Sequence, residues 1–265
     1  MIVIGCVLAI LVGLTLGLVG SGGTILTVPI LVYVMGVDPV LSTTYSLFAI
    51  GLTSGVGGVR GILKKEVDLN KVWSFGIPSL VVVFITRSFV LPLVPDTIVI
   101  AGYPIAQSVL LMILFSIVMI VSSLSMIRNA RERLEVPTQS HQFPIEIIIL
   151  QGALVGLVTG AMGAGGGFLI IPALVNFYHL SMRRAVATSL VIISINSFFG
   201  LAGDFEKFPT FDWLLLGGYT LGAMIGLIVG FYFADRLPGY RLKVAFGYII
   251  LLVGLYVLIK EIFQG

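Results

Sequence analysis

Charge is scarce in this sequence: Asp, Glu, Lys and Arg make up only 10% of the 265 residues, against about 25% in a soluble domain. No Lys or Arg precedes Arg60. With 58% of its residues apolar, the chain has too little polar surface to cover a water-soluble core, so its solvent is lipid. Cysteine is almost absent too. Cys6 alone excludes a disulfide within the chain and any Cys-based metal site. The two histidines, His141 and His179, lie far apart, and no metal or other cofactor is expected. The net charge of +3 is small and is not read as a nucleic-acid signal. No H-E-x-x-H, G-x-S-x-G or Walker A pattern occurs, and GSGG at 20–23 lacks the lysine of a P-loop. The chain is therefore not expected to be an enzyme. The first apolar run lacks the basic n-region of a signal peptide and is read as mature structure.

Apolar runs dominate what is there. They fall at 1–20, 24–36, 40–60, 71–93, 105–127, 144–163, 168–180, 185–203, 211–234 and 244–262. A spanning helix needs about 20 such residues. The second and seventh runs are shorter, and each follows a glycine-rich break. The breaks expose an internal repeat. Residues 11–31 (LVGLTLGLVGSGGTILTVPIL) align with 154–174 (LVGLVTGAMGAGGGFLIIPAL) at a constant offset of 143. Gly13, Gly17, Gly20, Gly22, Gly23 and Pro29 fall on Gly156, Gly160, Gly163, Gly165, Gly166 and Pro172, and Ser46 falls on Ser189.

Basic residues set the sidedness, because cytoplasmic loops are enriched in Lys and Arg. Loops 61–71 and 128–143, Arg183 with Arg184, and the Arg236–Lys243 cluster are expected inside. Loops 94–104 and 204–210 are expected outside. This holds only if 144–180 enters and returns to one side; the repeat then makes 1–37 a hairpin as well. The expectation is an all-α membrane protein of two inverted repeats, each a Gly-broken helical hairpin plus three transmembrane helices. The first repeat covers 1–127 (hairpin 1–37, spans 40–60, 71–93, 105–127). A cytoplasmic linker covers 128–143. The second repeat covers 144–265 (hairpin 144–180, spans 185–203, 211–234, 244–262). Both termini are expected outside.

The hairpin tips are the sharpest candidates for a site. They read Gly20-Ser21-Gly22-Gly23-Thr24 and Gly163-Ala164-Gly165-Gly166-Gly167. Unwound backbone is tolerated at membrane depth only where it is buried in protein or lines a polar cavity. Each short helix starts at its tip, so its free amides carry the positive end of the helix dipole. Two such ends approaching one another would bind an anion without a lysine, with Ser21 and Thr24 as added donors. Gly13, Gly17, Gly156 and Gly160 are read as helix-packing residues. The next helix of each half carries a polar stripe: Ser46, Thr53 and Ser54 in one, Ser189, Asn196 and Ser197 in the other. These serve either an anion path or interhelical hydrogen bonds. Arg87 is the basic residue well inside a span. It contacts substrate or, slightly favoured, snorkels or serves structure. Gln107 and Gln151 are weaker candidates. Pro29 and Pro172 are expected to kink the short helices, and Trp73, Trp213, Tyr103 and Tyr219 to mark the interfaces.

The paired tips GLVGSGGTILTVP (17–29) and GAMGAGGGFLIIP (160–172) resemble the duplicated signature of the sulfite exporter TauE/SafE family. Length, hydropathy and the central basic loop fit as well. The resemblance implies a permease of the cytoplasmic membrane for small sulfur-containing anions: sulfite, sulfoacetate or related organosulfonates. Carried over, the family's glycine motif falls on Gly20, Gly22, Gly23, Gly163, Gly165, Gly166 and Gly167, with Thr24 standing where the second copy has Gly167. Expected partners are a small anion and membrane lipid, with a homodimer left open. Export by alternating access is the leading reading. Uptake of a sulfur source, a non-transporting membrane sensor or scaffold, and a channel are the alternatives.

Overall fold

The computed structural model describes residues 2–20, 23–95, 97–100, 103–131, 145–176, 178–234 and 239–264. The described residues are helical almost throughout, and among them six helices are long and apolar enough to cross a membrane. The elements are α1 (Ile2–Val19), α2 (Thr24–Pro29, running on as a π turn Ile30–Val34), α3 (Pro39–Leu63) and α4 (Leu69–Ile85). α4 continues through a second π turn, Thr86–Val90, to Leu93. Then come α5 (Gln107–Arg131), α6 (Ile145–Met162), α7 (Gly167–Asn176), α8 (Met182–Gly203), α9 (Trp213–Ala234) and α10 (Gly239–Gln264). A small antiparallel ribbon, β1 (Thr97–Ile100) with β2 (Tyr103–Ala106), occupies the expected loop 94–104 and the first two residues of the span expected from 105. Most of the expected 128–143 linker lies outside the described residues, although α5 runs on to Arg131.

Local chemistry fixes the helix starts. Asp38 caps α3, its Oδ1 accepting from the amides of Val40 and Leu41 at 2.9 and 3.1 Å, and Pro39 sets the first turn. Asp68 caps α4 and Asp212 caps α9 in the same manner. Prolines shape the short helices unequally. Pro29 marks the change from α to π geometry, whereas Pro172 is absorbed within α7.

Glycine decides which helices approach closely, as expected for Gly13, Gly17, Gly156 and Gly160. A methyl at Gly17 would meet Gly230 Cα at 3.0 Å, and one at Gly156 would meet Ser79 Cα at 3.0 Å. Gly222, Gly226 and Gly230 of α9 meet Cys6, Ile10 and Leu14 of α1 in rising order, so these two helices run parallel. Gly152, Gly156 and Gly160 of α6 meet Phe75, Ser79 and Thr86 of α4, a second parallel pair. α3 and α8 are antiparallel: Gly51 packs on Ser197, Gly58 on Val191 and Gly61 on Ala187. A methyl on Gly5 would strike Met35, so α1 and the α2 π turn begin and end on one side. α1 and α2 therefore double back on one another.

Trp73 and Trp213 are exposed, as interface residues should be. Tyr219 is not. It is 1% exposed and packs with Ala9, Leu31, Tyr45 and Ala49, because it sits on the face of α9 that α1 and α3 cover. The side chain of Tyr103 is outside the described residues.

Candidate functional site

Each glycine turn seats on the polar-stripe helix of the other half. Gly20 adopts φ +81 and packs on Val186, near the start of α8. Gly163 adopts φ +67 and packs on the backbone of Thr43, near the start of α3. Such dihedrals exclude a side chain at little cost only for glycine. The antiparallel register of α3 and α8 puts these two contacts at opposite ends of the pair. From Thr43 to Gly61, which faces Ala187, the helix rises ~27 Å. Gly20 and Gly163 therefore do not face one another, and one small anion cannot touch both. The two turns themselves stay apart, but the short helices that follow them meet: Ile25 and Val28 of α2 share a buried core with Ala164 of the second turn and Phe168 of α7. Gly165, also at positive φ, reaches further inward and lies against Ile50 and Ile193. Gly166 packs against Thr159 of its own hairpin, and Gly167 opens α7. Gly23 packs against Val12 and Thr15, and Thr24 is fully buried. Ser21 and Gly22 lie outside the described residues.

Between the two turns runs a buried polar seam. Ser46, Ser54, Ser189, Asn196 and Ser197 are all 0% exposed. Asn196 Nδ2 donates to Ser79 Oγ at 2.7 Å, tying α8 to α4. Ser189 Oγ donates to the Val186 carbonyl at 2.9 Å, and Thr53 Oγ1 to that of Ala49 at 2.6 Å. Ser46 Oγ, Ser54 Oγ, Ser197 Oγ and Asn196 Oδ1 have no partner. Polar atoms buried without a partner cost free energy, so this seam is not explained by interhelical bonding alone. Beside it, Thr24, Thr27, Thr53 and Tyr219 line a cavity of ≈ 10 Å³, room for about one water.

Arg87 does not snorkel. It lies in the π turn of α4 and is completely buried. Its Nη1 donates to Asp204 Oδ2 at 2.5 Å. Thr44 Oγ1 donates to the same oxygen at 2.7 Å, and Lys207 Nζ to Asp204 Oδ1 at 3.1 Å. Gly203 makes room for this, since a methyl there would meet Arg87 Cβ at 2.7 Å. Asp204 and Lys207 lie in the loop 204–210 expected outside, and the sequence pattern does not pair them with Arg87. The available signal was a lone intramembrane arginine with an acidic residue at the end of another span. Gln107 makes only a long bond to the Leu91 carbonyl at 3.4 Å, and Gln151 Oε1 has no partner.

Residues 5–257 match the model of the family described as sulfite exporter TauE/SafE. A probable membrane transporter protein of Xylella fastidiosa is 27% identical over 257 residues, covering 94% of this chain and 91% of that protein. One from Methanocaldococcus jannaschii is 28% identical over 205 residues, covering 73% of this chain and 70% of its own length. One from Bacillus subtilis is 25% identical, with 99% of both chains covered. No solved structure matches the chain.

Proposed function

The chain belongs to the sulfite exporter TauE/SafE family and is a multi-pass membrane transporter; from that premise we propose that it carries a small sulfur-containing oxyanion, such as sulfite or an organosulfonate, out of the cell by alternating access. One observation carries this reading: the unpartnered hydroxyls of Ser46, Ser54 and Ser197, buried along α3 and α8 between two glycine turns, with the Nδ2 of Asn196 beside them keeping one N–H beyond its bond to Ser79. Uncharged donors replace an anion's water without holding it too tightly to leave. The amides of Gly20 and Gly163 are taken by the carbonyls of Leu16 and Thr159, so those of Ser21, Gly22, Gly23 and Thr24 would serve one end of the seam. Those of Gly165, Gly166 and Gly167 would serve the other. Each turn then acts as the plug of its own end, opening in alternation.

The proposed architecture is two inverted halves, 1–127 and 144–265, joined by 128–143. Its support is the exchange symmetry of contacts. The repeat offset maps α3 onto α8, and these equivalent helices run antiparallel. It maps α1 onto α6 and α4 onto α9, and α1 pairs with α9 as α6 pairs with α4. Rocking one such half against the other is the motion that inverted repeats permit. In the proposed orientation both termini face outward from the cytoplasmic membrane. An inside-negative potential then favours anion export by ~2.3 kcal/mol per charge per 100 mV.

The test is counterflow of radiolabelled sulfite in proteoliposomes holding the purified chain, with sulfoacetate, thiosulfate and sulfate as competitors. Saturable flux that at least one sulfur oxyanion competes for supports the carrier. Absence of flux for every anion, with the protein folded, removes the reading.

A further inference from the structure

We infer that the Nε/Nη2 edge of Arg87 is the fixed cationic contact for the transported anion, selecting species that present two oxygens on one atom over spherical anions. This rests on the carrier reading and names the chemistry of its anchor. A guanidinium is a planar fork that matches carboxylate-like and sulfonate-like groups through two parallel N–H···O bonds. A pair serving stability alone would use the fork that way. Here only Nη1 is engaged, while Nε and Nη2 are buried and have no partner. Asp204 has both of its oxygens occupied, Oδ2 by Arg87 and Thr44, and Oδ1 by Lys207.

Charge points the same way. Two cations, Arg87 and Lys207, surround one carboxylate, so the cluster carries one positive charge in excess. Lys207 is a third exposed and is screened, but Arg87 is not exposed at all. A buried charge in excess is disfavoured unless a partner arrives, and one monoanion brings the cluster to neutrality. The π turn that carries Arg87 is a helix defect of a kind frequent at functional sites.

Position ties the anchor to the second glycine turn. Thr86, next to Arg87, packs on Gly160, and Thr43, next to Thr44, packs on Gly163. Movement of that turn would unseal the edge. The other half has no counterpart: the repeat offset places Gly230, Gly61 and Ala187 where Arg87, Asp204 and Thr44 stand. The anchor therefore serves one end of the seam only. Asp204 acts through Arg87, as a positioning residue that orients the fork.

The experiment is anion-dependent thermal stabilisation of the full chain in detergent, with sulfite, sulfoacetate or chloride at equal ionic strength. Wild type is compared with Arg87→Lys, which keeps the charge beside Asp204 and loses the fork. The expected result is stabilisation by the two oxyanions and not by chloride. In Arg87→Lys the concentration for half-maximal effect rises about tenfold or more, with melting in the absence of anion little changed. In Asp204→Asn the discrimination against chloride persists. Equal oxyanion response in wild type and Arg87→Lys overturns the inference. So does a response to chloride as strong as to sulfite, or collapse of the variant's anion-free melting. Sulfite flux measured on the same preparations keeps the carrier reading separate: flux that survives in Arg87→Lys removes the anchor and leaves the carrier.

Discussion

Arg87 on α4 and Asp204 at the end of α8 meet at 2.5 Å, and neither side chain exceeds 3% exposure. An ion pair this buried is asymmetric in its consequences: removing one partner leaves the other charge stranded. Asp204→Ala is predicted to destabilise the protein by about 3–5 kcal/mol. Asp204→Asn keeps an acceptor for Nη1 and should cost less. Melting of the purified variants checks this; Asp204→Ala melting with the wild type would contradict it.

The second glycine turn is predicted to tolerate no side chain. Gly163→Ala places a methyl in the backbone of Thr43 and forces φ +67 on an L-residue, at a cost of ~1–2 kcal/mol for the dihedral alone. Gly217→Ala is the control: it lies in α9 with nothing within 4 Å of the added methyl, and should gain ~0.5–1 kcal/mol. Parallel melting curves for the two variants decide the point.

Asn196 separates transport from stability. Asn196→Ala removes one bond to Ser79, worth ~0.6 kcal/mol in a membrane bundle. If the seam carries the anion, flux should nevertheless fall by about tenfold or more, an effect on the scale of 1.4 kcal/mol in the barrier. Flux scaling only with the small loss of stability would assign Asn196 to packing.

Much of the fold was legible because lipid and glycine leave plain marks. Apolar length gave the spans, and Gly13, Gly17, Gly156 and Gly160 sit at the close helix contacts they were assigned. The site was less legible. Register between α3 and α8 depends on packing that no local pattern encodes, so the separation of Gly20 from Gly163 could not be read. Asp204 looked like a loop residue because its partner lies 117 positions away. Tyr219 looked interfacial because periodicity in an all-apolar helix does not reveal which face is covered.

Sidedness can be read by labelling. Leu63 and Phe205 are exposed, at opposite ends of the α3/α8 pair. In a Cys6→Ser background, Leu63→Cys should react with an impermeant maleimide only from the cytoplasmic side, and Phe205→Cys only from the outside. Reversal of both would invert the orientation, and with it the predicted effect of membrane potential.

The central claim is that the anion passes between the glycine turns along the α3/α8 seam. Its most direct test is saturable sulfite flux in proteoliposomes for Ser46→Val and Ser54→Val against Gly217→Leu, with folding confirmed for each. The account predicts that the first two lose flux, because both positions are buried along the seam, while Gly217→Leu keeps it. Flux retained in Ser46→Val and Ser54→Val at the level of Gly217→Leu would contradict the account.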